Sequence, residues 1–232
     1  MNILILGCSW GVPNYGEHHV NTWTPEAHIH SMLKEQGHNV INLSLYGSSN
    51  FKQVKRFHDW YQGKNLTEFD FGDYVLPHTS IDLVIWFKTS VYRDWPENTP
   101  NNLTLFNGLV TETYKRIANI LSILYDPKFV AIGGVGPLMP SYTDYFTPDL
   151  VIEDWRSDIL GVDFPKNHYW GGIGQEFVLD FENLSDEEHK ELSDIYQIMS
   201  ESPAQYFPDG GHPGLNPHKK LFQTLSNLIK GE

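Results

Sequence analysis

Three residues from opposite ends of the chain have the types and spacing that a nucleophile, a base and an orienting acid require. Ser9 follows a short apolar run at the N-terminus, and Asp209 precedes His212 near the C-terminus with two glycines between them. Because glycine adopts dihedrals that are closed to other residues, this loop can curl and bring the carboxylate under the imidazole. The carboxylate would fix the tautomer of the histidine, and the other ring nitrogen could take the proton of the serine hydroxyl. The pattern therefore predicts nucleophilic catalysis.

These residues also have alternative interpretations. Cys8, next to the serine, is a rival nucleophile because thiolates attack readily. A residue adjacent to one that faces the cleft points elsewhere, so we interpret Cys8 as a small buried apolar residue. Asp209 lies in the ordinary turn sequence Pro208-Asp209-Gly210-Gly211 and could simply form that turn. His212 would then be a loop histidine fixed by its neighbours.

Four short segments, taken together, resemble the sequence blocks of the SGNH (GDSL-type) hydrolases. The first is Gly7-Cys8-Ser9-Trp10, in which cysteine stands where the family has aspartate. The second is Tyr46-Gly47-Ser48-Ser49-Asn50, after a second strand-like run. The third, Lys88-Thr89-Ser90-Val91, has serine in place of the family's asparagine, and the fourth is Asp209 to His212. The blocks come in the family's order and extend over most of the chain.

The resemblance implies a serine esterase. Ser9 would attack an acyl carbonyl, His212 would move the proton, and Asp209 would orient the imidazole. The N–H groups of Ser9 and Gly47 would hold the negative oxygen of the tetrahedral intermediate. The family implies short acyl esters, O-acetyl sugars, lipids or thioesters as substrates, and it needs no metal or organic cofactor.

The third donor to the oxyanion is the point at which this chain departs from the family. Ser90 occupies the position of the missing asparagine, on a shorter side chain. Thr89 and Asn50 are alternative donors, and Arg93 could bind an acid or shape the loop. Because losing one donor typically costs about 10²–10³ in rate, the departure motivates a second hypothesis, a non-catalytic protein of the same fold that binds glycans or serves in a larger assembly. A third hypothesis is a flavodoxin-like nucleotide binder, which glycines at strand ends would also suit.

The length and composition limit the number of domains and the classes of partner that we expect. A length of 232 residues suits one well-buried domain, so we expect a single domain over residues 1–232. A net charge of −13 argues against nucleic acid and anionic membranes and leaves a small-molecule or glycan ester as the expected partner. One cysteine excludes an intrachain disulfide. The N-terminus lacks the basic and long apolar regions of a signal peptide, so we expect a cytoplasmic protein.

The histidines and glycines predict no cofactor. His28 and His30 are two positions apart on a predicted helix and therefore face different directions. The adjacent His18 and His19 have no matching ligands after them. Gly133-Gly134-Val135-Gly136 lacks the Gly-Lys-Ser/Thr sequence of a phosphate-binding loop. We therefore expect no metal, and this glycine segment does not indicate a nucleotide-binding loop.

Apolar runs and amphipathic segments alternate along the chain. We predict strands at 2–7, 40–43, 81–87 and 128–132. We predict helices at 25–36 with Thr24 as the N-cap, after Asn50 as the N-cap, and at 105–124. The expected buried side of the third helix consists of Leu109, Thr113, Ile117, Ile120, Leu121 and Leu124. The alternation predicts a parallel sheet with right-handed crossovers, and the resemblance implies a three-layer α/β/α sandwich of the flavodoxin-like SGNH type. Ligands bind beyond the carboxyl ends of such strands. Ser9, Gly47, Ser90 and Gly134 all follow strands, so we expect them to meet at one edge.

Residues 138–206 are an aromatic-rich insertion in this pattern. Within and after it we predict a strand at 150–152 and helices at 185–201 and 216–229. We interpret most of its aromatic side chains as ordinary packing. The others could form a stacking platform for sugar rings, which favours an acylated carbohydrate as substrate.

Overall fold

The strands form one parallel sheet. The computed structural model describes residues 1–12, 28–64, 80–89, 91–94, 103–134, 138–160, 213 and 215–230. Within them the strands are β1 (Asn2–Leu6), β2 (Asn39–Asn42), β3 (Leu83–Lys88), β4 (Lys128–Gly133) and β5 (Leu150–Ile152). Their order is β2-β1-β3-β4-β5, and every neighbouring pair is parallel. This is the flavodoxin-like order, in which the chain reverses direction across the sheet between β1 and β3.

Helices cover both faces of the sheet. They are α1 (Ile29–Glu35), α2 (Asn50–Tyr61), α3 (Leu103–Ile123), α4 (Trp155–Leu160) and α5 (Leu215–Lys230). One hydrophobic cluster joins the sheet to α1, α4 and α5, and the other joins it to α2 and α3. The predicted three-layer α/β/α fold with a parallel sheet is therefore confirmed.

The apolar runs form strands because both of their faces are covered. Ile3 and Ile5 of β1 face the cluster on the α1 and α5 side, whereas Leu4 and Leu6 face the α2 and α3 side. All four side chains are at most 1% exposed. Burying one such side chain is worth about 1.5–3 kcal/mol, so a continuous apolar run is the expected sequence of a strand in this layer.

Two predicted helix starts were wrong. Thr24 was expected to cap the first helix, but α1 begins at Ile29 and its N-cap is His28, whose side chain accepts a hydrogen bond from the His30 N–H. The second helix was expected to be capped by Asn50, but Asn50 is its first residue and Ser49 is the cap. The Ser49 hydroxyl accepts from the Lys52 N–H at 3.2 Å, which is the geometry of an N-cap serine.

The predicted buried side of the third helix is confirmed. It consists of Leu109, Thr113, Ile117, Ile120, Leu121 and Leu124, all at most 8% exposed. The helix ends where Tyr125 and Asp126 take positive φ values of 62° and 55°. Pro127 follows and cannot continue a helix, so β4 begins at the next residue.

The first part of the aromatic-rich insertion belongs to the core. Phe146 packs edge-on against Phe129 with ring centroids 5.2 Å apart, and Tyr142 stacks on Phe146 at 5.8 Å. Trp155 is 1% exposed and lies on the opposite side of the sheet. The predicted strand at 150–152 is confirmed as β5. The predicted helix at 185–201 lies outside the described residues.

The described helices show no membrane span. None of them is long and apolar enough to cross a lipid bilayer.

Candidate active site

The N-terminal motif forms a tight turn at the carboxyl end of β1. A 3-10 turn covers Ser9–Gly11, and the Gly11 N–H donates to the Cys8 carbonyl at 3.0 Å. Ser44 lies so close to Gly11 that a larger residue does not fit there, because a Cβ would lie 2.3 Å from the Ser44 hydroxyl oxygen. The Cys8 side chain is fully buried, as predicted. The turn therefore places the backbone of Ser9 at the predicted edge.

Gly47 lies at the same edge as Ser9. The Leu45 N–H donates to the Gly7 carbonyl at 3.1 Å, which extends the pairing of β2 with β1 beyond both strands. Ser9 and Gly47 each follow this hydrogen bond by two residues. Gly47 has φ +59° and is exposed. Among the described residues, no acceptor takes its N–H, so this donor can point at a bound ligand.

Asn50 joins the start of α2 to the end of β3. Its Oδ1 accepts from the Thr89 N–H at 3.0 Å, and its Nδ2 donates to the Thr89 carbonyl at 3.1 Å and to an Asp94 carboxylate oxygen at 3.0 Å. Both amide protons are therefore in use, and Asn50 could serve an oxyanion only by giving up one of these bonds. The Thr89 side chain is fully buried, and its hydroxyl has no partner among the described residues.

Asp94 is a residue of this edge that the sequence analysis missed. Its two carboxylate oxygens accept from the backbone N–H groups of Asn50 at 3.1 Å and Phe51 at 2.9 Å. A negative charge at a helix N-terminus is stabilised by the free N–H groups and by the helix dipole. Next to it, the Arg93 guanidinium donates to the Ser48 carbonyl at 3.5 Å. The 3-10 turn Val91–Asp94 therefore fixes the segment that carries Gly47.

Two buried histidines near the Ser9 turn were also missed. The rings of His28 and His218 lie 4.1 Å apart, and both side chains are 1% exposed. Burial lowers the pKa of His28 from 6.5 to about 3, although a hydrogen bond to Trp10 acts in the opposite direction and His30 adds to the lowering. Burial, and then the neighbouring His28, lowers the pKa of His218 well below its usual range. Both rings are therefore neutral at pH 7.

The remaining predicted site residues are not described. Ser90, Asp209 and His212 lie outside the described residues, and so does the side chain of Ser9. The triad and the serine part of the oxyanion hole stay predictions. Among the described residues, no cluster of three or more His, Cys, Asp or Glu side chains could hold a metal ion.

A groove of about 570 Å³ lies between α2 and α3. Its lining is charged, since Lys55 and Lys64 both pair with Asp59 and Arg116 pairs with Glu112. None of the predicted site residues lines it. We therefore place the candidate site at the carboxyl edge of the sheet and not in this groove.

Comparison with known proteins gives structural likeness only. No family model and no curated protein matches the chain. A lipase/acylhydrolase of Enterococcus faecalis is 13% identical, with 99% of this chain and 95% of that chain aligned and a TM-score of 0.43. A psychrotrophic esterase of Pseudoalteromonas sp. is 12% identical, with 99% and 97% aligned and a TM-score of 0.48. A GDSL-like lipase of Bacteroides thetaiotaomicron is 15% identical, with 99% and 88% aligned and a TM-score of 0.44.

These three proteins carry names of the hydrolase class that the sequence motifs resemble. At identities of 12–15% and TM-scores below 0.5, the alignments carry no argument about activity or residues. The case for a site in this chain rests on its own motifs, on the order of its strands, and on the contacts at the carboxyl edge.

Proposed function

We propose that this chain is a serine ester hydrolase of the SGNH type. The observation that carries the proposal is the hydrogen bond from the Leu45 N–H to the Gly7 carbonyl at 3.1 Å. It supports the proposal because it brings the Ser9 turn to the same edge as the N–H of Gly47, which no described residue accepts. A nucleophile and an oxyanion donor must meet at one edge. Strand order supports it as well, since ligands of such sheets bind beyond the carboxyl ends of the strands.

The proposed mechanism is acyl transfer through Ser9. His212 takes the hydroxyl proton as Ser9 attacks the acyl carbon, and it returns that proton to the leaving alcohol; Asp209 holds the imidazole in the required tautomer. The N–H groups of Ser9 and Gly47 hold the oxyanion, with Ser90 as the third donor. Water then attacks the acyl-enzyme by the same proton relay and releases the acid.

We infer a supporting role for Asn50, Thr89 and Arg93 from their contacts. Asn50 and Thr89 bind each other through two hydrogen bonds, and Arg93 binds a backbone carbonyl of the second block. We infer that they shape the oxyanion hole by holding the two segments that border it. A donor that must already be aimed when charge develops needs such support.

The proposed substrate class is an acylated carbohydrate. The proposal depends on aromatic side chains of residues 138–206 that could stack on sugar rings. Phe146 and Trp155 are buried and belong to the core, so they do not contribute to such a platform. Tyr142 and Tyr145 are only partly buried, and other aromatic candidates such as Tyr169 and Trp170 lie outside the described residues.

The test is covalent labelling with a fluorophosphonate probe, followed by identification of the modified residue by mass spectrometry. We expect wild-type protein to be labelled at Ser9, and Ser9→Ala to lose both labelling and hydrolysis of p-nitrophenyl acetate. His212→Ala should lose most of the labelling rate, because the hydroxyl then has no base. Ser122→Ala, which removes an exposed hydroxyl on α3, is the matched control and should be labelled like wild type.

Absence of labelling in folded wild-type protein, with equal residual hydrolysis in wild type and Ser9→Ala, would contradict the proposal. Calorimetric titration with oligosaccharides then examines the alternative, a non-catalytic glycan-binding protein. Measurable binding in the absence of labelling would favour that alternative.

A further inference from the structure

Four buried aromatic residues form a closed ring of contacts beside the Ser9 turn, three between side chains and one to a backbone carbonyl. The centroids of His28 and His218 are 4.1 Å apart, those of His218 and Trp155 are 5.2 Å apart, and those of Trp155 and Trp10 are 5.7 Å apart. The ring closes through a contact of 3.2 Å between the His28 Nε2 and the Trp10 carbonyl oxygen. No member is more than 3% exposed. We name this group the His–Trp ring.

The hydrogen bonds of His28 define its tautomer. Its Nδ1 accepts from the His30 N–H at 3.2 Å, so the proton of the neutral ring must lie on Nε2 and be donated to the Trp10 carbonyl. The pKa of His28, lowered by burial to about 3, agrees with a neutral ring. The next carbonyl of the same turn, that of Gly11, accepts from the Asn42 amide at 2.7 Å. Two successive carbonyls of the Ser9–Gly11 turn are thus held by side chains from outside it.

The His–Trp ring also includes a residue of α5. His218 lies in the first turn of that helix, six residues after the predicted base His212. Trp155 contacts His218 and Trp10 together, and it also packs against Phe87 of β3 at 5.5 Å. The ring therefore makes contact with both segments that, in the proposed mechanism, lead to the nucleophile and to the base.

An aliphatic core could fill the same volume, but it could not perform the same task. It would leave the Trp10 carbonyl without its donor, and buried carbonyl groups are normally paired. It would also replace a directed hydrogen bond with contacts that allow the turn to rotate. A nucleophile and its base must be aligned closely, since a misplacement of about 1 Å can cost about 10²-fold in rate.

We propose that His28 and His218 are positioning residues, which hold the Ser9 turn in register with the start of α5 through the His–Trp ring. The catalytic part of this inference rests on the proposed function. The structural part, mechanical coupling of the turn to the start of α5, does not depend on catalysis. The two parts can therefore be tested separately.

The coupling is tested by hydrogen exchange with mass spectrometry on the full chain. We compare wild type with His28→Phe, which keeps a ring and removes the donor, and with His28→Gln, whose amide nitrogen can donate to the same carbonyl. In His28→Phe we expect faster exchange at residues 7–12 and at the start of α5 together, with protection of β3 unchanged. His28→Gln should restore most of the protection at residues 7–12. Equal exchange in His28→Phe and wild type would overturn the coupling.

The catalytic part is tested by the rate of fluorophosphonate labelling and by kcat and KM with p-nitrophenyl acetate. We expect His28→Phe to lower the labelling rate and kcat by about 10–100-fold with KM within about twofold of wild type. His28→Gln should recover a large part of kcat, and His218→Phe, which keeps an aromatic ring in contact with His28 and Trp155, should fall between them. If wild type is not labelled, the proposed function fails, and the exchange data still decide the coupling.

A general loss of stability is excluded with a matched control. Phe57→Leu removes a ring from the core on the opposite face of the sheet, where Phe57 is fully buried and belongs to the α2 and α3 cluster. It should lower the melting temperature while leaving the labelling rate within about twofold of wild type. If Phe57→Leu lowers the labelling rate as far as His28→Phe does, or if His28→Gln is as slow as His28→Phe, the positioning role is overturned.

Discussion

Gly47 has a positive φ and a candidate oxyanion N–H, and single substitutions can separate the effects of these two properties. Its φ of +59° favours glycine, and its N–H is the donor that we propose for the oxyanion. A Cβ at this position would meet nothing within 4 Å, so substitution strains the backbone without a clash. Gly37 shares the positive φ, at +82°, and the open space around its Cα. It lies between α1 and β2, however, at the amino edge of the sheet. The two glycines therefore form a matched pair.

We predict that Gly47→Ala and Gly37→Ala each lower the free energy of unfolding by about 1–2 kcal/mol, the cost of the left-handed conformation for an L-residue. Only Gly47→Ala should also lower kcat, by about tenfold or more, since relief of the strain would turn its N–H away from the oxyanion. Urea unfolding and steady-state hydrolysis measure the two effects. Equal activity in the two variants would argue against Gly47 as a donor.

For single residues, the sequence was sufficient to predict features that depend only on adjacent positions in the chain. The burial of Cys8 and the place of Gly47 after the second strand follow from a short apolar run and a glycine next to it. His28 and His218 could not be predicted as a pair, because they meet only after α1 and α5 pack on the same face of the sheet. Neither residue has a local signal, since a histidine near a helix start is ordinarily an exposed or capping residue.

Among the elements, the N-terminus of α2 is the one that most directly shapes the site. Ser49, the residue directly before the helix, caps it locally. Asp94 caps it from the turn that follows β3. The first is a local serine signal, which lay one residue from the predicted cap. The second comes from a residue more than forty positions away. The strand bounds were predicted closely because burial of both faces produces uninterrupted apolar runs.

We predict that Asp94→Asn lowers the free energy of unfolding by about 1–3 kcal/mol, because hydrogen bonds to a charged group are worth about 1.5–3 kcal/mol and the helix dipole favours the anion. Asp59→Asn is the matched control on the same helix. Asp59 lies near its C-terminal end in salt bridges with the exposed Lys55 and Lys64, and pairs with exposed partners contribute at most about 1 kcal/mol. Chemical denaturation measures both variants. A loss in Asp59→Asn as large as in Asp94→Asn would refute the capping role.

Across the whole molecule, the sheet order decides which chain segments can cooperate. Because β1 lies between β2 and β3 and pairs with both, its exit lies beside the exits of both. Hydrogen bonds at the strand ends then join neighbouring exits laterally, from Leu45 to Gly7 between β2 and β1 and from Gly134 to Lys88 between β4 and β3. A parallel sheet of this order could be predicted from the alternation of elements. The lateral bonds could not, since they depend on how each loop leaves its strand.

The two faces of the sheet differ in their response to acid. The α1 and α5 face contains the neutral pair His28 and His218, whereas on the other face a buried hydrogen bond joins the uncharged side chains of Gln53 and Trp86. In the unfolded chain both histidines take up a proton near pH 6.5, but in the folded chain they remain neutral to a much lower pH. Between these limits the unfolded state binds more protons, so stability falls as the pH falls and is constant above about pH 6.5 for these groups.

We predict that the buried His28 alone makes the free energy of unfolding lower at pH 5 than at pH 7.5 by about 2 kcal/mol, from linkage between an unfolded pKa of about 6.5 and a folded pKa of about 3, and that His218 adds a further loss in the same direction. Urea unfolding at the two pH values measures the difference. His28→Gln removes one group and should make the difference smaller, and His28→Gln combined with His218→Phe should remove the whole contribution of this pair. Phe57→Leu is less stable at both pH values but should keep the full difference, because it leaves both histidines in place. If the double variant loses stability in acid as steeply as wild type, the buried pair is not the source of the acid sensitivity.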